Sequence, residues 1–352
     1  MSVSHNQRME DDQNSILKTT QLCDNLEKSR AIFTVCELDV AKHIESIGSK
    51  SIEKLAVDVA CCPDALYRLM RALSSLGVFR ETDARVFQHT KLSEKLADPV
   101  VRDIVLINGG SLGYNMWKDL TSTIRKGHSD LNALIGKPSV WEYLVDHHDE
   151  SKRFFNVMAG YVNYFAPALI EMSDYHTKCE SIVGIGGGQG LFLDQILKSG
   201  GNTKHESIKT VINYDLPVVI ELAKQAGMPV RDARIKDQQG DLVKEKLPEA
   251  DIFVLQSLVH YNDDNALLIL KNIMRSMKSD SRVYIYDFLL DEKNEQLGEK
   301  VWFDIKMFQF MNGRERSVED WERLTKQAGF KITNNQKAKN SHFPSLLVLH
   351  KL

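Results

Sequence analysis

The second half of the chain, after Lys178, alternates short apolar segments with longer segments of helical periodicity. Apolar runs rich in β-branched residues predict buried strands, and apolar positions three and four residues apart predict helices. Such an alternation indicates an α/β domain with a doubly wound, mainly parallel sheet, which binds ligands beyond the carboxyl ends of its strands. The predicted strands are Ser181–Ile185, Thr210–Tyr214, Ile252–Gln256 and Val283–Asp287, and the predicted helices are Leu191–Lys198, Val218–Ala226, Ala266–Met277 and Val318–Ala328.

The first half of the chain is predicted to be largely helical. Residues 15–46 have apolar positions at helical spacing, and a short helix, a longer helix and a β wing are predicted at Ser51–Ala60, Pro63–Leu76 and Val78–His89. A helix-turn-helix with a wing can bind DNA, but the longer helix offers only two arginines as cations, so an interaction module is favoured. Residues 102–172 are helical and rich in aromatic side chains, and they are predicted to link the halves and roof a pocket.

Composition narrows the function classes. The 352 residues, 43% hydrophobic and 26% charged, are typical of a globular protein of two domains. A net charge of −3 does not favour binding to nucleic acid or to an anionic membrane. No apolar run approaches the ~20 residues that are needed to span a bilayer. The polar residues 1–14 do not resemble a secretory signal. Five cysteines without metal-ligand spacing fit a reducing compartment, so a cytoplasmic location is expected; adjacent Cys61 and Cys62 are interpreted as packing residues rather than a redox pair.

A glycine-rich turn follows the first predicted strand of the second half. Gly186, Gly188 and Gly190 have the spacing G-x-G-x-G, whereas the dinucleotide fingerprint G-x-G-x-x-G fits in no register. Glycine permits positive φ and close approach of a ligand to the backbone, and the start of the next helix offers free N–H groups. This spacing favours the amino-acid part of S-adenosylmethionine over a pyrophosphate, although a generic strand-to-helix connection remains an alternative.

Two aspartates are placed to contact a nucleoside. Asp215 ends the second predicted strand, 25 residues beyond Gly190, where a carboxylate can accept both hydroxyls of a ribose. The sequence Gly240-Asp241-Leu242 precedes the next predicted strand and is placed to pack around an adenine, with Asp241 accepting from the exocyclic amine. The structural alternatives are a solvated loop aspartate for Asp215 and a simple Gly-Asp turn for Gly240-Asp241.

His260 is the candidate general base, because it comes just after the strand that ends at Gln256. A lone histidine after an apolar run is ordinarily a packing residue. Two carboxylates strengthen the catalytic interpretation, namely Asp287 at the end of a strand and Glu315 in a polar loop. A carboxylate bonded to one imidazole nitrogen fixes the tautomer and raises the basicity of the other nitrogen.

A series of motifs, in this order, resembles the plant-type and hydroxyindole O-methyltransferases, the S-adenosylmethionine-dependent group that contains caffeic acid and acetylserotonin O-methyltransferases. The resemblance covers nearly the whole chain after the N-terminal tail. The matching segments are residues 65–73, Gly77-Val78-Phe79, Trp117, residues 155–158, Gly186–Gly190, Tyr214-Asp215-Leu216-Pro217, Gly240-Asp241, Leu258-Val259-His260, Gly313-Arg314-Glu315-Arg316 and Ala328-Gly329-Phe330.

The resemblance implies a winged-helix-like dimerisation domain at residues 1–105 and a Rossmann-like methyltransferase domain at 106–352, with 106–175 as helical linker and roof of the acceptor pocket. It implies a homodimer that methylates a hydroxyl of a small molecule and releases S-adenosylhomocysteine, without a metal, nucleic acid or membrane. His260 corresponds to the general base of the family, and Asp287 and Glu315 to its acidic neighbours. The implied cofactor-binding residues are Gly186, Gly188, Asp215, Leu216, Asp241, Leu242 and Gln256, and the implied pocket residues are Trp117, Phe155, Met158, Met307 and Met311.

Five positions depart from the family pattern. Gly184 and Gln256 stand where the family usually has an acidic and often a basic residue, Tyr261-Asn262 replaces Asp-Trp, and Asp287 replaces a glutamate. These changes motivate the alternative of a cofactor-binding homologue that methylates weakly or not at all. A winged-helix regulator with a ligand-binding half and a nicotinamide-linked oxidoreductase are further alternatives, and the missing fingerprint disfavours the latter.

Overall fold

The computed structural model describes residues 5–173, 175, 179–199, 207–290, 298–339 and 343–352. The chain forms two compact units, Met1–Tyr114 and Asn115–Leu352. The domain boundary after residue 105 stays a prediction. Among the described residues, no helix combines the length and apolar character needed to cross a membrane.

The first unit consists of helices and a small antiparallel sheet of three strands in the order β1-β3-β2. Leu66, Met70 and Leu73 lie on one face of helix α4 and are buried with Phe79 and Phe87 of the hairpin in a common core. The elements are α1 His5–Cys23, α2 Asn25–Glu37, a 3-10 helix Val40–His43, β1 Ser49–Ser51, α3 Ile52–Asp58, α4 Pro63–Ser75, β2 Phe79–Asp83, β3 Val86–His89, α5 Lys91–Leu96 and α6 Pro99–Gly109.

From Ser111 onward the chain is first helical and then alternates strands with helices. The elements are α7 Ser111–Trp117, α8 Leu120–Lys126, α9 Leu131–Ile135, α10 Val140–Asp146, α11 His148–Glu171, β4 Ser181–Ile185, α12 Leu191–Ser199, β5 Thr210–Asp215, α13 Pro217–Gln225, β6 Ile235–Gln239, β7 Ala250–Gln256, α14 Asp263–Ser276, β8 Met277–Asp287, α15 Glu299–Met311, α16 Val318–Gln327, β9 Phe330–Gln336 and β10 Ser345–Lys351.

The sheet of the second unit has seven strands in the order β6-β5-β4-β7-β8-β10-β9. Strands β4 to β8 pair in parallel, and β10 is antiparallel to both β8 and β9. The prediction of a doubly wound, mainly parallel sheet is therefore confirmed. The chain runs outward from β4 to β6 and then returns to β7, so the strand order reverses beside β4, where open α/β sheets bind their ligands.

The four strands predicted from sequence are present, but β6, β9 and β10 were missed. β6 is an edge strand with only Ile235 buried, so it lacks the apolar run that marks a central strand. Helix α15 was missed as well. The segment His147-His148-Asp149 contains the start of α11 at His148.

Both faces of the large sheet are covered by buried apolar side chains. One cluster includes Phe253, Leu255 and Trp321. The other includes Ile182, Val254 and several aromatic side chains, among them Tyr284. Alternate residues of β7 thus contribute to opposite sides, as expected of a central strand that is buried on both faces.

We expect Phe253→Ala to lower the free energy of unfolding of the second unit by about 3–5 kcal/mol, because Phe253 is fully buried in the central strand. Urea denaturation followed by circular dichroism measures this change. Trp302→Ala is the control, since Trp302 is 73% exposed, and its effect should stay within about 0.5 kcal/mol. Equal effects of the two substitutions would contradict the position of β7 in the core.

Candidate functional site

The glycine turn connects β4 to α12 and has the conformation that the sequence predicts. Gly186, Gly188 and Gly190 have φ of +66°, +54° and +71°, which residues with a Cβ rarely adopt. Space around the turn is unequal. A Cβ on Gly186 would lie 2.3 Å from the Leu258 side chain, whereas the nearest atom to a Cβ on Gly188 would be a Phe155 ring carbon at 4.0 Å. The turn therefore leaves bare backbone beside an open space.

Asp215, at the end of β5, is tied to this turn. Its Oδ2 accepts a hydrogen bond from the Gly188 N–H at 2.8 Å and its Oδ1 accepts from the Leu216 N–H at 2.7 Å. Burial raises the pKa of Asp215 to about 6, although the two backbone hydrogen bonds lower it. Each carboxylate oxygen can accept a further hydrogen bond, so the group remains able to bind a ligand hydroxyl.

The segment that contains Asp241 lies next to Asp215, because the Gly240 N–H donates to the Asp215 carbonyl oxygen at 3.0 Å. Asp241 also stabilises its own turn, since its Oδ1 accepts from the backbone N–H of Val243 at 2.9 Å. The Leu242 side chain is buried in the core. Gln256, half-buried, ends β7 on the other side of β4.

Tyr261 lies near the same two carboxylates and was noted from sequence only as a departure from the family. Burial, together with the charges of Asp215 and Asp241, raises the pKa of Tyr261 to about 12. The ring also packs against the buried apolar cluster of the sheet. Tyr261, which directly follows His260, therefore lies on the side of the site that contains Asp215 and the glycine turn.

His260 is brought together with Asp287 and Glu315 in the interior. The three residues are 6%, 2% and 3% exposed. The imidazole Nδ1 lies 2.5 Å from Glu315 Oε1 and 3.7 Å from Asp287 Oδ1. The close contact is an ion pair rather than an aligned hydrogen bond, because neither Nδ1 nor Oε1 has a partner of hydrogen-bond geometry. Glu315 is therefore the nearer carboxylate.

The charges of this cluster shift the pKa values of its members. Burial lowers the pKa of His260, but the charges of Asp287 and Glu315 outweigh burial, and the pKa rises to about 9. Burial raises the pKa of Asp287, which His260 and Arg316 lower in turn. The imidazole is consequently a stronger base than an ordinary histidine.

The same three side chains each offer one possible metal-ligand atom, and these atoms lie within 4.8 Å of one another. Catalytic zinc sites use three protein ligands of these kinds. In the present arrangement, however, Nδ1 and Oε1 face each other at ion-pair distance, and a shared metal would have to separate them. The geometry of the three side chains is that of an ionic cluster.

The loop after α15 holds the backbone around His260. The Arg314 N–H donates to the His260 carbonyl at 2.7 Å, and the buried Arg316 guanidinium donates to the carbonyls of Val259 at 2.5 Å and Tyr261 at 2.7 Å. A Cβ on Gly313 would lie 1.8 Å from the His260 carbonyl oxygen, so only glycine fits there. One short loop therefore supports the histidine and carries the Glu315 carboxylate.

Helix α15 lines the same region with aromatic and sulfur-containing side chains. The rings of His260 and Phe303 meet edge to face at 5.5 Å, and those of Trp117 and Phe310 do so at 5.9 Å. Met307 is buried on the same face as Phe303 and Phe310.

The remaining residues predicted for the acceptor pocket lie at different depths. Phe155 is buried beside the glycine turn, and Met158, on the same helix α11, is half-buried. Met311 is half-buried at the end of α15. Their part in an acceptor pocket stays a prediction.

Comparisons with known proteins agree on one family. Residues 117–331 match the model of the O-methyltransferase domain, and residues 20–99 match the O-methyltransferase dimerisation domain. Des-methyl DIF-1 methyltransferase A of Dictyostelium discoideum is 30% identical over 316 residues, 87% of this chain and 85% of that protein. A probable inactive O-methyltransferase 11 of the same organism is 27% identical over 324 residues, 90% and 91% of the two chains. Human N-acetylserotonin methyltransferase, solved in complex with S-adenosylmethionine, has the same fold, with a TM-score of 0.81, 20% identity and coverage of 99% of both chains.

We expect the pKa of His260, about 9 in the wild-type protein, to fall toward the ordinary 6.5 in Asp287→Asn and in Glu315→Gln, since each change removes a negative charge that favours the imidazolium. NMR titration of labelled histidine rings measures this shift. Glu319→Gln removes an exposed carboxylate four residues from Glu315 and should leave the titration unchanged. Unchanged titration in both active-site variants would contradict the observed cluster.

Proposed function

The chain belongs to the O-methyltransferase family, and we propose that it transfers a methyl group from S-adenosylmethionine to a hydroxyl of a small aromatic or polyketide-like acceptor, with His260 as general base. The observation that carries this proposal is the buried imidazole whose Nδ1 faces two carboxylates at the edge of the sheet where ligands bind. The matched dimerisation domain supports a homodimer.

The residues around the glycine turn fit the cofactor. The backbone of Gly186 and Gly188 would contact its amino-acid part, and the Asp215 carboxylate would accept the ribose hydroxyls. Asp241 and Leu242 would pack around the adenine, and Gln256 would make a further contact to the cofactor. Support comes from the left-handed turn with open space at Gly188 and from the remaining acceptor capacity of Asp215. When bound, S-adenosylmethionine supplies a methyl group activated by the positive sulfur.

His260 would accept the hydroxyl proton as the acceptor oxygen forms its bond to the methyl carbon and the carbon–sulfur bond breaks, which leaves S-adenosylhomocysteine. Because Nδ1 is buried and faces the carboxylates, Nε2 would be the nitrogen that accepts the proton. Glu315 and Asp287 would stabilise the imidazolium and orient the ring.

The raised basicity of His260 favours proton transfer. Moving a proton fully from a phenol of pKa about 10 to an ordinary histidine costs roughly 5 kcal/mol, whereas with a pKa of about 9 the cost falls to about 1 kcal/mol. The same high pKa also lowers the fraction of molecules in which the imidazole is neutral and able to accept a proton. At pH 7 a group with this pKa is neutral in only about 1% of molecules, so activity should depend strongly on pH.

A cofactor-binding homologue that does not methylate remains the second candidate, and Gly184 is the observation that favours it. A Cβ on Gly184 would lie 2.8 Å from Leu193, whose side chain occupies the place where the family usually carries an acidic residue. One polar anchor for the cofactor is thereby replaced by apolar packing. The relative named as probably inactive gives the same alternative a precedent.

We expect the methyl-transfer rate of His260→Ala to be at least about 100-fold lower than that of the wild type, because a positioned general base usually contributes this much. Its affinity for S-adenosylhomocysteine should equal that of the wild type. Calorimetry measures binding, and a screen of phenols, hydroxyindoles and polyketide hydroxyls measures transfer. His148→Ala, which removes an exposed histidine, is the control. Added EDTA should leave the rate unchanged. Wild-type binding without transfer to any acceptor would support the second candidate, and equal rates for His260→Ala and wild type would make His260 a packing residue.

We expect kcat/KM to rise about tenfold per pH unit below pH 9 and to level off above it, because only the neutral imidazole accepts the proton. The charges of Asp287 and Glu315, which outweigh burial, place the pKa of His260 at about 9. Rates between pH 6 and 10, at fixed ionic strength, measure the profile. In Asp287→Asn the plateau should begin at lower pH. A rate that falls as the pH rises from 7 to 9 would refute the role of a neutral imidazole.

A further inference from the structure

A polar network beneath the glycine turn is not explained by any contact to a cofactor or an acceptor. Asn213 of β5 is fully buried, and its Nδ2 donates to the Gly188 carbonyl at 3.0 Å and to Asp237 Oδ1 at 2.8 Å. Asp237 belongs to the edge strand β6, which the sequence pattern does not reveal. The network thus connects two neighbouring strands to one peptide of the turn.

Arg231, in the segment before β6, completes the network. Its Nη1 donates to the Gln189 carbonyl at 3.0 Å, and its two terminal nitrogens form a bidentate pair with Asp237 at 2.9 and 2.8 Å. The side chains of Arg231 and Asp237 are only 13% and 20% exposed. A Cβ on Gly190 would lie 2.5 Å from Nη1, so the guanidinium occupies the space that the missing side chain leaves.

The network fixes both sides of the turn. The carbonyls of Gly188 and Gln189 are bound from below, while the Gly188 N–H donates to Asp215 on the side of the proposed cofactor site. Glycine loses more conformational freedom on ordering than any other residue, and this turn contains four glycines among five residues. A turn that is already ordered avoids this loss at the moment of binding.

We propose that Arg231 and Asp237 are positioning residues that preorganise the glycine turn and thereby set the affinity for the cofactor, without touching the acceptor or His260. This inference rests on the proposed function, since it takes S-adenosylmethionine as the ligand of the turn. Burial raises the pKa of Asp237, but the hydrogen bonds from Arg231 and Asn213 hold it below its ordinary value, so the pair is fully charged at neutral pH.

The chain offers a matched control for this pair. Arg234 and Asp232 form an ion pair at 2.7 Å in the same segment, and Arg234 Nη1 donates to the Ile208 carbonyl rather than to the turn. Arg231→Met and Arg234→Met remove the same charge and the same kind of pair, three residues apart. Arg231→Lys keeps the charge but not the bidentate geometry, and Asp237→Asn removes the charge at nearly constant shape.

Calorimetric binding of S-adenosylhomocysteine is the test. We expect Arg231→Met and Asp237→Asn to bind about tenfold or more weakly, Arg231→Lys to bind with intermediate affinity, and Arg234→Met to bind within about twofold of wild type. In turnover, the KM for the cofactor should rise, while kcat at saturating cofactor and its pH profile stay as in wild type. Thermal melting without ligand identifies any variant that does not fold. If one of Arg231→Met and Asp237→Asn does not fold, the binding affinity of the other tests the inference.

Wild-type affinity in a folded Arg231→Met or Asp237→Asn variant would overturn the inference, as would equal weakening in Arg231→Met and Arg234→Met. A wild-type protein that bound no S-adenosylhomocysteine would overturn the proposed function itself. A wild-type protein that bound it but methylated nothing would leave this inference standing, because binding is measured without chemistry.

Discussion

The ion pair between the buried imidazole of His260 and the carboxylate of Glu315 is the interaction on which the site depends. Placing charged groups in the interior is unfavourable unless partners compensate for the lost water. Here Asp287 adds a second negative charge, and the charge of Arg316 lowers the pKa of Asp287. The loop 313–316 supplies both Glu315 and the hydrogen bonds that hold the histidine backbone. Its sequence therefore constrains the position and the charge state of the imidazole together.

The parallel sheet explains why these groups meet. The carboxyl ends of β4, β5, β7 and β8 lie at one edge of the sheet, and they lead to the glycine turn, Asp215, His260 and Asp287 respectively. On one side of the strand reversal the residues suit a nucleoside, and on the other they suit proton transfer. Both sides are supported from behind, by the network of Asn213, Asp237 and Arg231 beneath the turn and by Arg316 beneath the histidine. Rigid support of this kind keeps reacting groups in place.

The features that could be predicted from the sequence are those that depend on the local residue pattern. The central strands have apolar runs, the glycines mark positive φ, and His260 and Asp287 could be placed because they follow such strands. The edge strand β6 could not be predicted, since only Ile235 is buried and the other positions are polar. Arg231 and Arg316 were missed because the backbone carbonyls that they bind are distant in sequence. The preference of Nδ1 for Glu315 over Asp287 depends on side-chain packing, which no spacing reveals.

The position of the cofactor relative to the imidazole decides whether His260 can act as the general base, and a crystal structure with S-adenosylhomocysteine measures this position directly. We predict that the ligand lies along the glycine turn with its ribose on Asp215, and that His260 Nε2 faces the place where the transferred methyl would stand. A ligand bound elsewhere, or an imidazole whose Nε2 points away from the sulfur, would contradict the assignment.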